Sequence, residues 1–191
     1  MDVRVIGSQT AVEAAVQLIE SELGPYIVTT EEEKDLEDVV VALLTGNKAT
    51  LATAESCTGG LLANRITDVP GASAVFMEGN VTYSNEAKVR TLDVPPDLLS
   101  TVGAVSEEVA RAMADGALKR TGATYALSTT GIAGPDGGTE QKPVGTVYIG
   151  LASRGSATVV EKEFFPTDRP SFKRICTQHA LEMLRRKILG I

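Results

Sequence analysis

Residues 48–66 read KATLATAESCTGGLLANRI, and this stretch decides the architecture. Lys48–Ala54 predicts a strand that runs without a spacer into Glu55-Ser56-Cys57-Thr58-Gly59-Gly60. A helix is expected from there to about Ile66, ended before Val69-Pro70-Gly71. A strand that turns straight into a helix is the repeating unit of open α/β sheets, where ligands gather at the carboxyl ends of strands.

The same alternation extends both ways along the chain. Downstream, Val75–Tyr83 predicts a strand and Asn85–Leu92 a short helix, after which Pro95-Pro96 breaks the chain. Ser106 is placed to cap a long helix with Val109, Met113 and Ala117 on one face. Tyr125–Thr130 predicts another strand, and Val144–Ala152 with Ala157–Phe164 an antiparallel hairpin around Arg154-Gly155. Pro170–Leu189 is the closing helix. Upstream, Glu31 begins a helix whose apolar face is Leu36, Val39, Val40 and Leu43, stopped by Gly46-Asn47. The sum is a three-layer α/β/α sandwich on a mixed, mostly parallel sheet with one antiparallel hairpin. Ahead of it, Val3–Ile6, Thr10–Leu23 and Tyr26–Val28 read as a strand, a helix and a strand. That piece is too small to bury its own apolar faces. Residues 1–30 are therefore expected to be the remnant of a preceding domain or linker, and 31–191 the folded domain.

Composition narrows the function. A net charge of −7 argues against a nucleic-acid binder, because phosphate backbones are held by surplus Lys and Arg. Two cysteines, Cys57 and Cys176, cannot make a disulfide framework, and the single His179 leaves a His/Cys zinc site almost nothing to work with. No metal and no cofactor are expected. No apolar run approaches membrane-spanning length, and Met1–Gln9 lacks the apolar core of a signal peptide, so a cytoplasmic protein is expected. A homodimer is the base-rate expectation for a soluble protein.

Four strand-end segments carry chemistry. Ser56 stands at a strand end before Gly59-Gly60, where free backbone N–H groups can face a reacting carbonyl, although Ser56 or Thr58 could equally cap the helix. Lys88 can act as a general base if burial lowers its pKa, and Ser84, four residues earlier, competes with Ser56 as its partner. Ser128–Gly138 is a glycine-rich loop that is neither a Walker A nor a dinucleotide fingerprint, but can form a nest of N–H groups. Arg169, at a helix N-terminus where a cation is disfavoured, suggests a bound anion unless Asp168 pairs it.

Together, residues 54–60, Gly79–Lys88, Gly103–Ser106, Gly131–Gly138 and Lys142–Val147 resemble the signature blocks of the CinA C-terminal domain family, which includes nicotinamide-nucleotide amidases. The resemblance runs from about Glu31 to the C-terminus. It implies hydrolysis of the carboxamide of nicotinamide mononucleotide, with Ser56 as nucleophile, Lys88 as base and Tyr83 beside it. It implies substrate contacts from Thr130 and Arg169, and draws Glu55, Thr58, Gly59, Gly60, Asn85 and Gly131 into the same binding site. It also implies an N-terminal, ADP-ribose-hydrolysing domain ahead of this chain; the alternative to an amidase is a non-catalytic nucleotide-binding or regulatory module attached to that domain. Cys57 and His179 are expected to be bystanders.

Overall fold

The computed structural model describes residues 5–191. Val3–Ile6 lies partly outside that range, and Val5 and Ile6 are not in a strand. Seven helices and five strands follow among the described residues: α1 (Gln9–Leu23), α2 (Leu36–Gly46), β1 (Leu51–Glu55), α3 (Leu61–Thr67), β2 (Phe76–Val81), α4 (Asn85–Leu92), α5 (Pro96–Thr101), α6 (Glu107–Thr121), β3 (Tyr125–Gly131), β4 (Thr146–Ser153), β5 (Val159–Phe164) and α7 (Arg169–Leu189).

The strands form one mixed sheet in the order β2-β1-β3-β4-β5. β1 pairs in parallel with both β2 and β3, whereas β4 runs antiparallel to β3 and to β5. The chain leaves β1 for β2 through α3, then passes back beyond β1 to β3 through α4, α5 and α6. Strand order therefore reverses between β1 and β3, which places a crevice at their carboxyl ends.

The two faces of the sheet are filled differently. Leu51, Leu127, Val147 and Ile149 pack beneath α2, α3 and α7 against Val40, Leu62, Phe172 and Leu184. On the other face Ala52, Ala54, Ala126 and Ala152 meet Val109, Met113, Ala114 and Ala117 of α6. Alanine methyls on both sides let α6 lie close to the sheet. The approach between helices is closer still, because a Cβ on Gly116 would meet the Leu92 backbone carbonyl at 2.0 Å. That contact seats α4 against α6, and α4 carries Lys88.

Several boundaries differ from the sequence expectation. The acidic run Glu31–Glu33 does not open α2; the helix starts at Leu36, where Asp35 and Asp38 form a reciprocal capping box. Tyr26–Val28 is not a strand: Gly24–Tyr26 forms one 3₁₀ turn, and Arg185 donates to the carbonyls of Pro25 (2.7 Å) and Ile27 (3.5 Å) instead. Pro95-Pro96 breaks the chain but also starts α5, with proline in the first turn where its missing N–H costs nothing. α1 buries none of its side chains. No helix among the described residues is long and apolar enough to cross a membrane.

Candidate active site

β1 delivers Ser56 to the crevice. The Ser56 N–H donates to the Thr129 carbonyl at 2.9 Å, extending the β1–β3 ladder one residue past the strand and fixing the serine's place. The chain then turns through Gly59 (φ 61°) and Gly60 (φ 95°), left-handed conformations that glycine adopts without a Cβ penalty, and enters α3.

The buried carboxyl group of Glu55 holds that turn. It accepts from the N–H groups of Gly60 (2.9 Å), Leu62 (3.0 Å) and Ala63 (2.8 Å) and from the Thr58 hydroxyl (2.7 Å). These are the orphan donors of the α3 N-terminus, satisfied from within. Thr58 is itself buried and lies 2.7 Å from the Thr129 hydroxyl.

Lys88 reaches the serine from α4. It is 1% exposed, and Nζ lies in hydrogen-bond contact with Ser56 Oγ at 3.0 Å and donates to the Thr82 carbonyl at 2.8 Å and to the Tyr83 carbonyl at 3.2 Å. Among the described residues it has no carboxylate partner. Burial pushes its pKa below the ordinary lysine value of 10.5, with Cys57 acting in the opposite sense. The rival serine is differently employed: Ser84 Oγ accepts from the Ala87 N–H and caps α4.

A cleft of about 230 Å³ opens over the pair, lined by Ser56, Lys88, Tyr83, Asn85, Thr130 and Gly131, with Arg169 at its edge. Arg169 donates through NH1 to the Gly134 carbonyl at 2.9 Å and through NH2 to the Tyr83 hydroxyl at 3.0 Å. Asp168 does not pair with it. Its carboxylate instead caps α7 through the Ser171 N–H, which holds its pKa low. Thr130 donates to the Ala104 carbonyl at 2.7 Å and so ties the end of β3 to the loop before α6.

The expected residues thus separate. Ser56, Lys88, Tyr83, Asn85, Thr130, Gly131 and Arg169 share the cleft, whereas Glu55, Thr58, Gly59 and Gly60 do not line it. The first two build the turn from behind, and the glycines shape it. Cys57, Ala104, Val105 and Ala133 also line the cleft. Of these, Cys57 adds a feature no side chain advertises: its backbone N–H has no acceptor among the described residues. Its thiol is buried beside Cys176, whose own thiol is held protonated by that neighbour and by burial.

The geometry has counterparts. A family model described as the CinA C-terminal domain matches residues 33–188. The chain is 49% identical over 181 residues to a CinA-like protein of Akkermansia muciniphila, and 52% identical over 180 residues to a putative competence-damage inducible protein of Symbiobacterium thermophilum. These alignments cover 95% and 90% of this chain but 44% and 42% of the relatives, so it spans less than half their length. Among solved structures, a competence/damage-inducible protein of Agrobacterium tumefaciens superposes with a TM-score of 0.76 at 39% identity, over 82% of this chain and 97% of that one. A CinA-superfamily protein of Klebsiella pneumoniae gives 0.78 at 33%, over 82% and 97%.

Proposed function

We propose that this chain, which belongs to the CinA C-terminal domain family, hydrolyses the carboxamide of nicotinamide mononucleotide to nicotinate mononucleotide and ammonia. The observation that carries the reading is the contact of a buried lysine with a serine at the sheet's switch point. A neutral Lys88 amine has two N–H groups and one lone pair. The Thr82 and Tyr83 carbonyls take the two N–H groups, so the lone pair is left for the hydroxyl of Ser56.

The steps are those of acyl transfer. Lys88 accepts the Ser56 proton as Oγ bonds to the carboxamide carbon, and the carbonyl oxygen takes the negative charge. The unengaged N–H of Cys57 is the donor for that oxyanion; one such donor contributes roughly 3 kcal/mol. Lys88 then passes its proton to the amide nitrogen, the C–N bond breaks and ammonia leaves. Tyr83 is the alternate donor for this step. Water, deprotonated by Lys88, attacks the acyl-enzyme; the ester bond breaks and Ser56 recovers its proton.

Recognition follows from the size and charge of the cleft. At about 230 Å³ it is smaller than the roughly 300–1,000 Å³ of sites that swallow drug-sized ligands, which suits a ring and its carboxamide. The ribose phosphate is then directed outward to Arg169 at the start of α7, where a guanidinium and a helix N-terminus both favour an anion.

The deciding experiment is ammonia release from nicotinamide mononucleotide by the purified chain, with and without excess chelator. Turnover should be equal in both. No turnover, or turnover that needs one added divalent ion, refutes the serine–lysine route. Arg169→Ala should raise KM about tenfold or more while kcat falls less, because the phosphate lies remote from the bond being cut. An unchanged KM would place the anion elsewhere.

A further inference from the structure

Glu161 and Glu163 lie two residues apart on the edge strand β5, so their side chains leave the same face of the sheet. That face looks towards α7, and His179 comes down from the middle of α7 to meet them. His179 Nε2 is 2.6 Å from Glu161 Oε2 and 3.8 Å from Glu163 Oε1. One ligand atom from each of the three lies within 4.8 Å of the others.

The charge balance is unusual for a purely structural contact. Like charges side by side on one face repel, and strands commonly answer them with Lys or Arg. Here neither glutamate has a Lys or Arg ion-pair partner among the described residues. Lys162, between them in sequence, points to the other face and lies over the Tyr148 ring at 5.8 Å. The nearby Glu182 is already engaged by Arg185 and Arg186. Two carboxylates are left to share one imidazole.

We propose that Glu161, Glu163 and His179 bind one divalent transition-metal ion of the zinc class. Imidazole nitrogen and carboxylate oxygen are both ligands for such ions, at about 2.0–2.2 Å. Ligand atoms on a tetrahedron of that size stand about 3.3–3.6 Å apart. The two histidine–glutamate separations of 2.6 and 3.8 Å bracket that spacing, and the two glutamate oxygens lie within 4.8 Å of one another. All three side chains are partly exposed, at 29% for His179, 44% for Glu161 and 34% for Glu163, so an ion has an entry path. The same partial exposure leaves a fourth coordination position open to water. The ion would pin the sheet's edge strand to α7. The site shares no side chain with the cleft around Ser56 and does not depend on the reaction proposed there.

The test uses the chelator-stripped chain titrated with zinc chloride alone in a calorimeter. One equivalent should bind, and zinc should raise Tm, as any ligand of the native state does. His179→Ala and Glu161→Gln should each weaken binding at least tenfold, since even outer-shell losses at metal sites cost about that much. His179→Gln, checked by circular dichroism, keeps the test valid if the alanine variant fails to fold. Cobalt(II) should give ligand-field bands without a sulfur charge-transfer band. A sulfur band would put the ion on Cys57 or Cys176, and unchanged affinity in His179→Ala would put it on scattered carboxylates. Either overturns the proposal. So does a chain that gives no binding heat and no change in Tm with zinc.

Discussion

Ser56→Ala and Lys88→Ala should each lower kcat by at least ~10⁴-fold, and the double variant should be hardly worse than either. The non-additivity follows from the contact itself: the serine is a poor nucleophile without a base, and without the serine no acyl-enzyme forms for the base to hydrolyse. Ser84→Ala should cost little activity, since its hydroxyl serves the first turn of α4. Substrate should still bind to Ser56→Ala, because Arg169 and the ring contacts are untouched. The pH profile carries independent information. On the proposed route Lys88 works only as the neutral amine, so activity should rise with pH through its apparent pKa and fall below it. Burial sets that pKa under 10.5, so the limb should lie on the acid side of a free lysine's. A fatal Ser84→Ala with an active Ser56→Ala would reverse the assignment. A limb that climbs only in the range of solvated lysines would make Tyr83 the first suspect as base.

The second large effect concerns stability. Glu55→Ala removes the acceptor of three backbone N–H groups at the start of α3. At about 1 kcal/mol or more for each donor stranded away from water, the loss is roughly 3 kcal/mol or greater. Urea unfolding should show a lower midpoint with an unchanged slope, which marks a change in stability rather than in the denatured state. Activity should fall as well, since the turn that presents Ser56 loses its support. Glu55→Gln should lie between, because an amide keeps one acceptor oxygen but turns N–H groups towards the donors. If Glu55→Ala is as stable as the parent and only KM rises, Glu55 touches substrate and its structural role is refuted.

Glu55 also shows how much of the site could be read from sequence. A carboxyl group at a strand end beside a nucleophile looks like site chemistry. Yet side chains alternate along a strand, and Ala52 and Ala54 belong to the face covered by α6, whereas Leu51 belongs to the face covered by α3 and α7. The same alternation sends Ser56 with the alanines, towards Lys88 on α4, and Glu55 with Leu51, towards α3. The signal was present at period two and was outweighed by proximity in sequence. The strand–turn–helix order at 48–66 was plainly legible, because β-to-helix transitions through Gly-Gly have few alternatives. Lys88 was legible only as a candidate. Nothing in its neighbours announces that its amino group sits among two carbonyls and a hydroxyl, which is a tertiary fact. The Cys57 amide was illegible for a simpler reason, since every residue except proline has one. The helix starts at Leu36 and Pro96 differ from the sequence expectation because a capping pair and a first-turn proline outweigh the acidic run and the break that precede them.

The way residues 9–28 sit on the body has its own consequence. α1 contributes no buried side chain, and the residues after it are tied to α7 by Arg185 at the Pro25 and Ile27 carbonyls and by Arg186 over the Tyr26 ring. Thr30–Asp35, which follows, is exposed along its whole length. A protease acting on the folded protein would therefore meet this stretch before any backbone of the sheet. The piece released would carry none of the cleft. The piece that remains would keep Ser56, Lys88 and Arg169 on one continuous chain, so a cut that severs everything ahead of α2 leaves the candidate site's side chains together.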